Sequence, residues 1–229
     1  MRFLRRGEKR VHRPTEPNFK WTLSTAAHPL GLRGVLHFPF LIYFFAQIRY
    51  STHIFMAKLV PENHPVLHAI AEEVTPSEFA DGTVIKIVKD LKSALHSYSV
   101  DGFTAVAIAA PQIGVGKRIF LIEDQSKDRD ALPSFVAVNP IIVKYSKKTH
   151  EVGEGCLSIP EYYGLVRRST NVTLRAQDET GQWFERGAGS LLAQIIQHEY
   201  DHLDGILFTD RAEKVWHKDE LDREKKKLK

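Results

Sequence analysis

The sequence predicts an α+β domain, on three observations. Apolar residues first recur at helical spacing, then alternate with polar ones through the middle of the chain, then return to helical spacing near residues 191–203. Helix first, strands next and helix last fits that class.

The elements follow in order. Val84, Val88, Leu91, Leu95 and Tyr98 share one face of an amphipathic helix. Residues 118–123 and 135–138 are β-rich runs. Val172, Leu174 and Ala176 alternate with polar residues, and a turn at 178–181 leads into 182–185, which predicts a hairpin. Leu191, Ile195, His198 and His202 form one helical stripe, and Leu192, Ile196, Glu199 and Leu203 a second beside it. A helix apolar over two stripes is mostly buried. Gln194, Gln197, Asp201 and Asp204 make a third, polar stripe, and Asp204-Gly205 is a stop signal. A charged helix from about 210 to 229 is expected to close the chain, its last residues a solvated tail. No internal repeat is visible.

The chain has 229 residues, 43% of them hydrophobic, enough for one domain with a sizeable core. The net charge of +4 is uneven. Residues 1–55 hold nine Lys or Arg against two acids, a net of +7, which leaves −3 for the remainder. With no basic stripe carrying interleaved aromatics, direct nucleic-acid binding is not expected. The apolar run 35–48 is broken by His37, Pro39 and Gln47 and is too short for a membrane span. It also begins too late for a secretory signal. The extension has three readings: a spurious segment upstream of a start at Met56, an organellar transit or anchoring segment, or a folded arm. The domains expected are therefore 1–55 as an extension and 56–229 as the folded domain.

The chemistry begins at residues 197–202, Gln-His-Glu-Tyr-Asp-His, which contain H-E-x-x-H. Four residues apart on a helix, His198 and His202 can grip one metal ion, and Glu199 lies close enough to handle protons on its water. Ionisable groups on a buried helix need partners, and a metal supplies them. A third ligand is needed. Phe208 occupies the position where one longer form of the motif has its third His, so that form is excluded. Glu213 and Glu220 lie in a charged stretch that reads as solvated, and Cys156 is the sole cysteine. Cys156 follows Glu154-Gly155, a turn able to present a thiolate and a backbone N–H to one point. Cys with two His suits zinc or ferrous iron.

Three segments together resemble the signature blocks of peptide deformylases: 105–112 (AVAIAAPQ), 154–160 (EGCLSIP) and 197–202 (QHEYDH). The similarity spans roughly residues 59–212 and includes 113–115, Asn139-Pro140, 164–181 and 205–211. The resemblance implies small antiparallel sheets wrapped around the helix that carries the H-E-x-x-H motif. It implies removal of the N-formyl group from the initiator methionine of new polypeptides. It places one divalent ion on Cys156, His198 and His202, with ferrous iron physiological and zinc, nickel or cobalt able to substitute. Glu199 then acts as base and acid, and Gln112 with the Leu157 N–H stabilises the oxyanion. Glu154 and Arg168 resemble a pair that braces the metal loop, although an ordinary surface ion pair would read the same. Val106, Ala107, Tyr163, Leu191 and Ile195 are expected along the substrate. Formylated nascent chains are the expected partners, at the ribosome, for a monomer in the bacterial cytoplasm or, if the extension is real, in an organelle.

One block departs from the family pattern: Ala105 and Ala107 stand where glycine is usual. Substrate affinity rather than metal binding is expected to bear any penalty. Two rivals follow. One is an H-E-x-x-H metallopeptidase with a Glu as third ligand. The other is a retargeted or non-catalytic relative that keeps the metal.

Overall fold

A computed structural model describes residues 58–100, 103–124 and 132–220. The extension 1–55, the expected start at Met56 and the tail after 220 lie outside the described residues. Helix α1 is Pro76–Ala80 and α2 is Thr83–Ser97. Ten strands follow: β1 Ser99–Val100, β2 Phe103–Thr104, β3 Ala107–Ala109, β4 Ile119–Ile122, β5 Phe135–Tyr145, β6 Thr149–Cys156, β7 Ile159–Ser169, β8 Asn171–Gln177, β9 Trp183–Gly189 and, after two helices, β10 Lys214–His217. Helix α3 is Ser190–Leu203 and α4 is Phe208–Arg211. The larger sheet runs β3-β4-β5-β8-β9, the smaller β10-β7-β6, and β1 pairs with β2; all neighbours are antiparallel. The α+β architecture is the one expected.

The larger sheet is buried on both faces around β4. Ile119 and Leu121 point to the cluster under α2, formed by Val84, Ile87, Val88, Leu91 and Leu95. Phe120 and Ile122 point the other way, onto Ala193, Ile195, Ile196 and Leu203 of α3. That is why residues 119–122 read as an unbroken apolar run. Each fully buried Leu or Ile there contributes about 1.5–3 kcal/mol.

Helix α3 is fastened at its middle and at its C-terminal end. Gln197 pairs with both backbone groups of Ser169, accepting from its N–H and donating to its carbonyl, each at 3.0 Å. At the C-terminus Arg118 donates to the Leu203 carbonyl at 3.2 Å and to Asp204 Oδ1 at 2.8 Å, while lying over the Tyr200 ring. These contacts satisfy a carbonyl the helix leaves orphaned and place a cation at its negative end. Gly205 then takes φ +71°, as the stop signal requires, and a Cβ there would sit 2.8 Å from the His68 carbonyl carbon.

Several boundaries differ from the sequence expectation. Glu154-Gly155 is not the turn: β6 runs through it into Cys156, Leu157-Ser158 make the turn, and Pro160 is the second residue of β7. A strand tolerates proline best near its start. The closing helix does not run unbroken from 210. Helix α4 ends at Arg211, β10 pairs with β7 through Trp216↔Tyr163, and residues 218–220 turn helical again. Apolar Val215 and Trp216 amid lysines were hidden by the local charge. Among the described residues no helix is long and apolar enough to cross a membrane.

Candidate metal centre

Cys156 ends β6, and His198 and His202 stand one turn apart on α3. Their ligand atoms lie within 4.8 Å of one another. Cys156 Sγ is 3.3 Å from His202 Nε2. Tetrahedral coordination at zinc-like bond lengths sets ligand atoms about 3.4–3.8 Å apart, close to this spacing. Burial alone would push the Cys156 thiol up, but the rings of His202 and His198 hold it well below its usual range, so it is poised as a thiolate. The Nδ1–H of His198 donates to Glu154 Oε2 at 3.0 Å, which leaves the opposite ring nitrogen for an ion. One more atom bears on the fit. Glu199 is 4% exposed, and its Oε2 is buried with no hydrogen-bond partner. Burial raises the Glu199 carboxyl to about 7. A soft thiolate, two imidazoles and an unsatisfied carboxylate beside them fit a divalent ion with an open coordination position.

Gln112 lies in a buried 3-10 turn, Ala110–Ile113, whose conformation is fixed from within: its Oε1 accepts from the Ala109 N–H at 2.8 Å. That leaves Nε2 facing Ser158 Oγ at 3.3 Å and Cys156 Sγ at 3.5 Å, beside the ligand set. Leu157 adjoins Cys156 and packs partly on the α2 cluster.

Glu154 and Arg168 are not a surface pair. Both are buried, and the guanidinium grips the carboxylate through Nε at 2.8 Å and Nη2 at 2.9 Å. Burial opposes ionisation of Glu154, yet Arg168 and His198 bring it down to about 2. Residues to which the sequence assigned no role at the site complete the surroundings: Ser158, Asp201 and Arg211. The signal for Asp201 was present as a polar stripe on a buried helix. That stripe is uneven, with Gln197 and Asp201 buried and Gln194 and Asp204 only partly so.

The residues expected along the substrate differ in burial and in direction. Ile195 is buried in the α3 core cluster. Leu191 is 54% exposed at the helix start, apart from the buried stripe in which the sequence placed it. Tyr163 is half-buried on β7, its ring 3.0 Å from where a Cβ on Gly155 would stand. The Val106 carbonyl accepts from the Glu123 N–H at 2.8 Å, so Val106 faces β4. Backbone direction alternates along a strand, so Ala107, which pairs with Ile122 without facing it, turns its N–H and C=O to the outer edge of the sheet. Ala105 and Ala107 both have negative φ. The Ala105 methyl is buried in the α2 cluster, and Ala107 packs beside the α3 cluster.

The polypeptide deformylase family model matches residues 56–218. A peptide deformylase of Pseudothermotoga lettingae is 41% identical over 146 residues, covering 64% of this chain and 77% of the relative. One of Heliobacterium modesticaldum is 40% identical over 149 residues, covering 65% and 89%. The crystal structure of Thermotoga maritima peptide deformylase superposes with a TM-score of 0.60 at 30% identity, over 69% of this chain and 99% of that one. A Met-Ala-Ser-bound structure of the Acinetobacter baumannii enzyme gives 0.60 at 30% identity, over 67% and 96%. With the ligand geometry, the fold and a match across most of its length in agreement, this chain belongs to the polypeptide deformylase family.

Proposed function

We propose that residues 56–229 form a catalytic domain that removes the N-formyl group from the initiator methionine of nascent polypeptides, with Cys156, His198 and His202 holding one divalent ion. The observation that carries this is the meeting of a thiolate and two imidazoles, distant in sequence, beside a buried carboxylate oxygen with no partner. The ion, when bound, supplies Lewis acidity and activates water near neutral pH. Ferrous iron is the ion proposed, and zinc or nickel would satisfy the same donors.

The chain's own residues do the rest. Glu199 takes the proton from the attacking water and delivers it to the methionine nitrogen as the C–N bond breaks, which yields formate and a free amine. A carboxyl raised to about 7 by burial suits both halves of that task. Gln112 Nε2 and the Leu157 N–H donate to the developing oxyanion, an interaction worth about 3–4 kcal/mol per donor in acyl-transfer enzymes. The peptide lies as an added strand along the outer edge of β3, where Ala107 presents its backbone groups. Val106, Ile195, Leu191 and Tyr163 flank it. Because Ala105 is committed to the core, Ala107 is the departure from the family pattern that bears on substrate affinity. The domain acts as a monomer in the bacterial cytoplasm and meets its substrate at the ribosome.

Formate release from formyl-Met-Ala-Ser, measured anaerobically with the iron-loaded chain, tests the reading. Turnover is expected, and Glu199→Gln should lower kcat about 10²–10⁴-fold while metal content stays constant. Iron-loaded protein that releases no formate would refute it.

A further inference from the structure

A chain of ionic contacts runs from the protein surface to a proposed metal ligand. Arg211, at the end of α4, is 44% exposed. Its Nε donates to Asp201 Oδ2 at 2.7 Å and its Nη2 to Oδ1 at 2.8 Å. Asp201 is buried on α3, and the same Oδ2 also accepts from Arg168 Nη1 at 2.5 Å. Arg168 gives its other two nitrogens, Nε and Nη2, to Glu154, and Glu154 Oε2 takes the Nδ1–H of His198. Two cations thus balance two carboxylates, and Arg168 is shared between both acids.

We infer that Arg211 and Asp201 are positioning residues for the metal centre: held by Arg211, Asp201 takes one edge of Arg168 without drawing that guanidinium off Glu154, and so keeps the His198 ring aimed. Without Arg211, the buried Asp201 carboxylate keeps Arg168 as its cation within hydrogen-bond reach among the described residues, and two buried acids then compete for one guanidinium. An undercompensated buried charge is costly, so the network relaxes by shifting Arg168 toward Asp201. The Glu154 grip loosens, and with it the bond that sets the orientation and basicity of a ligating imidazole. The inference rests on the deformylase reading of the ligand set.

The test is metal release from the full chain loaded with Ni²⁺, followed by transfer to a chromogenic chelator. Arg211→Gln should release the ion about tenfold faster and bind it about tenfold more weakly, the lower end of what loss of an outer partner costs. Arg211→Lys, which keeps the charge but not the two-pronged grip, should fall between Gln and the parent, and it decides the matter should the Gln variant fail to fold. Arg167→Gln is the control. Arg167 also makes two ion pairs, with Glu151 and Glu213, but is half-exposed and touches none of this network; its release rate should equal the parent's. If the Arg211 variants lose urea stability without any change in Ni²⁺ release, the contact is only a staple between helices and the inference fails. A parent chain that retains no Ni²⁺ would instead sink the metal-centre reading itself.

Discussion

The two sides of this domain are built on opposite principles. Under α2, the buried cluster is apolar throughout, with Val84, Leu91, Leu95, Ile108 and Ile119 all fully buried. Around α3 and β6–β7, the buried residues include Gln112, Glu154, Arg168, Gln197, Glu199, Asp201 and His202, none more than 6% exposed. Apolar burial contributes stability in proportion to area. Buried ion pairs roughly break even against hydrophobic replacements, so the polar side adds little stability. What it adds is orientation: Glu154, Arg168, Asp201 and His198 each have their direction fixed by another. One side holds the fold together, and the other aims a small set of atoms.

Substitutions that separate folding from metal binding test this division. The largest effect is expected on the polar side. Cys156→Ser removes a ligand while changing volume little, so metal affinity should fall by more than the roughly 100-fold that loss of an outer partner can cost. Formate release should fall with it, and the urea unfolding free energy of the metal-free protein should change by about 1 kcal/mol or less. Retained metal would break the comparison and favour a carboxylate as third ligand. The converse is Leu91→Ala. Leu91 is fully buried, so the cavity should cost about 2–5 kcal/mol in urea unfolding. Metal affinity under native conditions should stay within about twofold, since distant sites add independently. A matching loss of affinity would show that the two sides are not separate.

This division also decided how much could be read from sequence. The helix Thr83–Ser97 was legible because Val84, Val88, Leu91 and Leu95 repeat at 3.6 residues, and the β8–β9 hairpin because Val172, Leu174 and Ala176 alternate. Periodicity reports on apolar faces, and these are apolar faces. Strand β6 carries Glu151, Gly153, Glu154 and Gly155, so no apolar alternation announces it. His198 and His202 were legible because their spacing lies within one helix. The partnership of Arg168 with Asp201 was not, since 33 residues separate them and nothing local marks Arg168 as buried. Leu191 erred the other way: its helical phase is right, but its end of α3 projects beyond the core. In β10, the four residues Lys214–His217 behave as a strand because β7 offers an open edge, a tertiary fact.

The smallest expected effect lies at the rim of the apolar side, where an ion pair should behave unlike the buried network. Glu78 accepts from the Thr75 N–H at 2.8 Å and faces Lys117 Nζ at 2.9 Å. The Thr75 backbone bond, then Lys117, bring its carboxyl down to about 2 from an ordinary 4.5. A depressed folded-state pKa means that the contact stabilises fully above about 4.5 and is lost as pH falls through 2. Because the group is partly open to solvent, screening holds the contribution to about 1 kcal/mol. Glu78→Gln should therefore lower urea stability by about that amount at pH 7, and the gap should close on titration toward pH 2. Added salt at pH 7 should narrow it as well, since the Debye length shrinks to about 3 Å at 1 M. A gap that ignores both pH and salt would mean that the neutral hydrogen bond to Thr75, rather than charge, does the holding, and that even the rim of this side owes nothing to electrostatics.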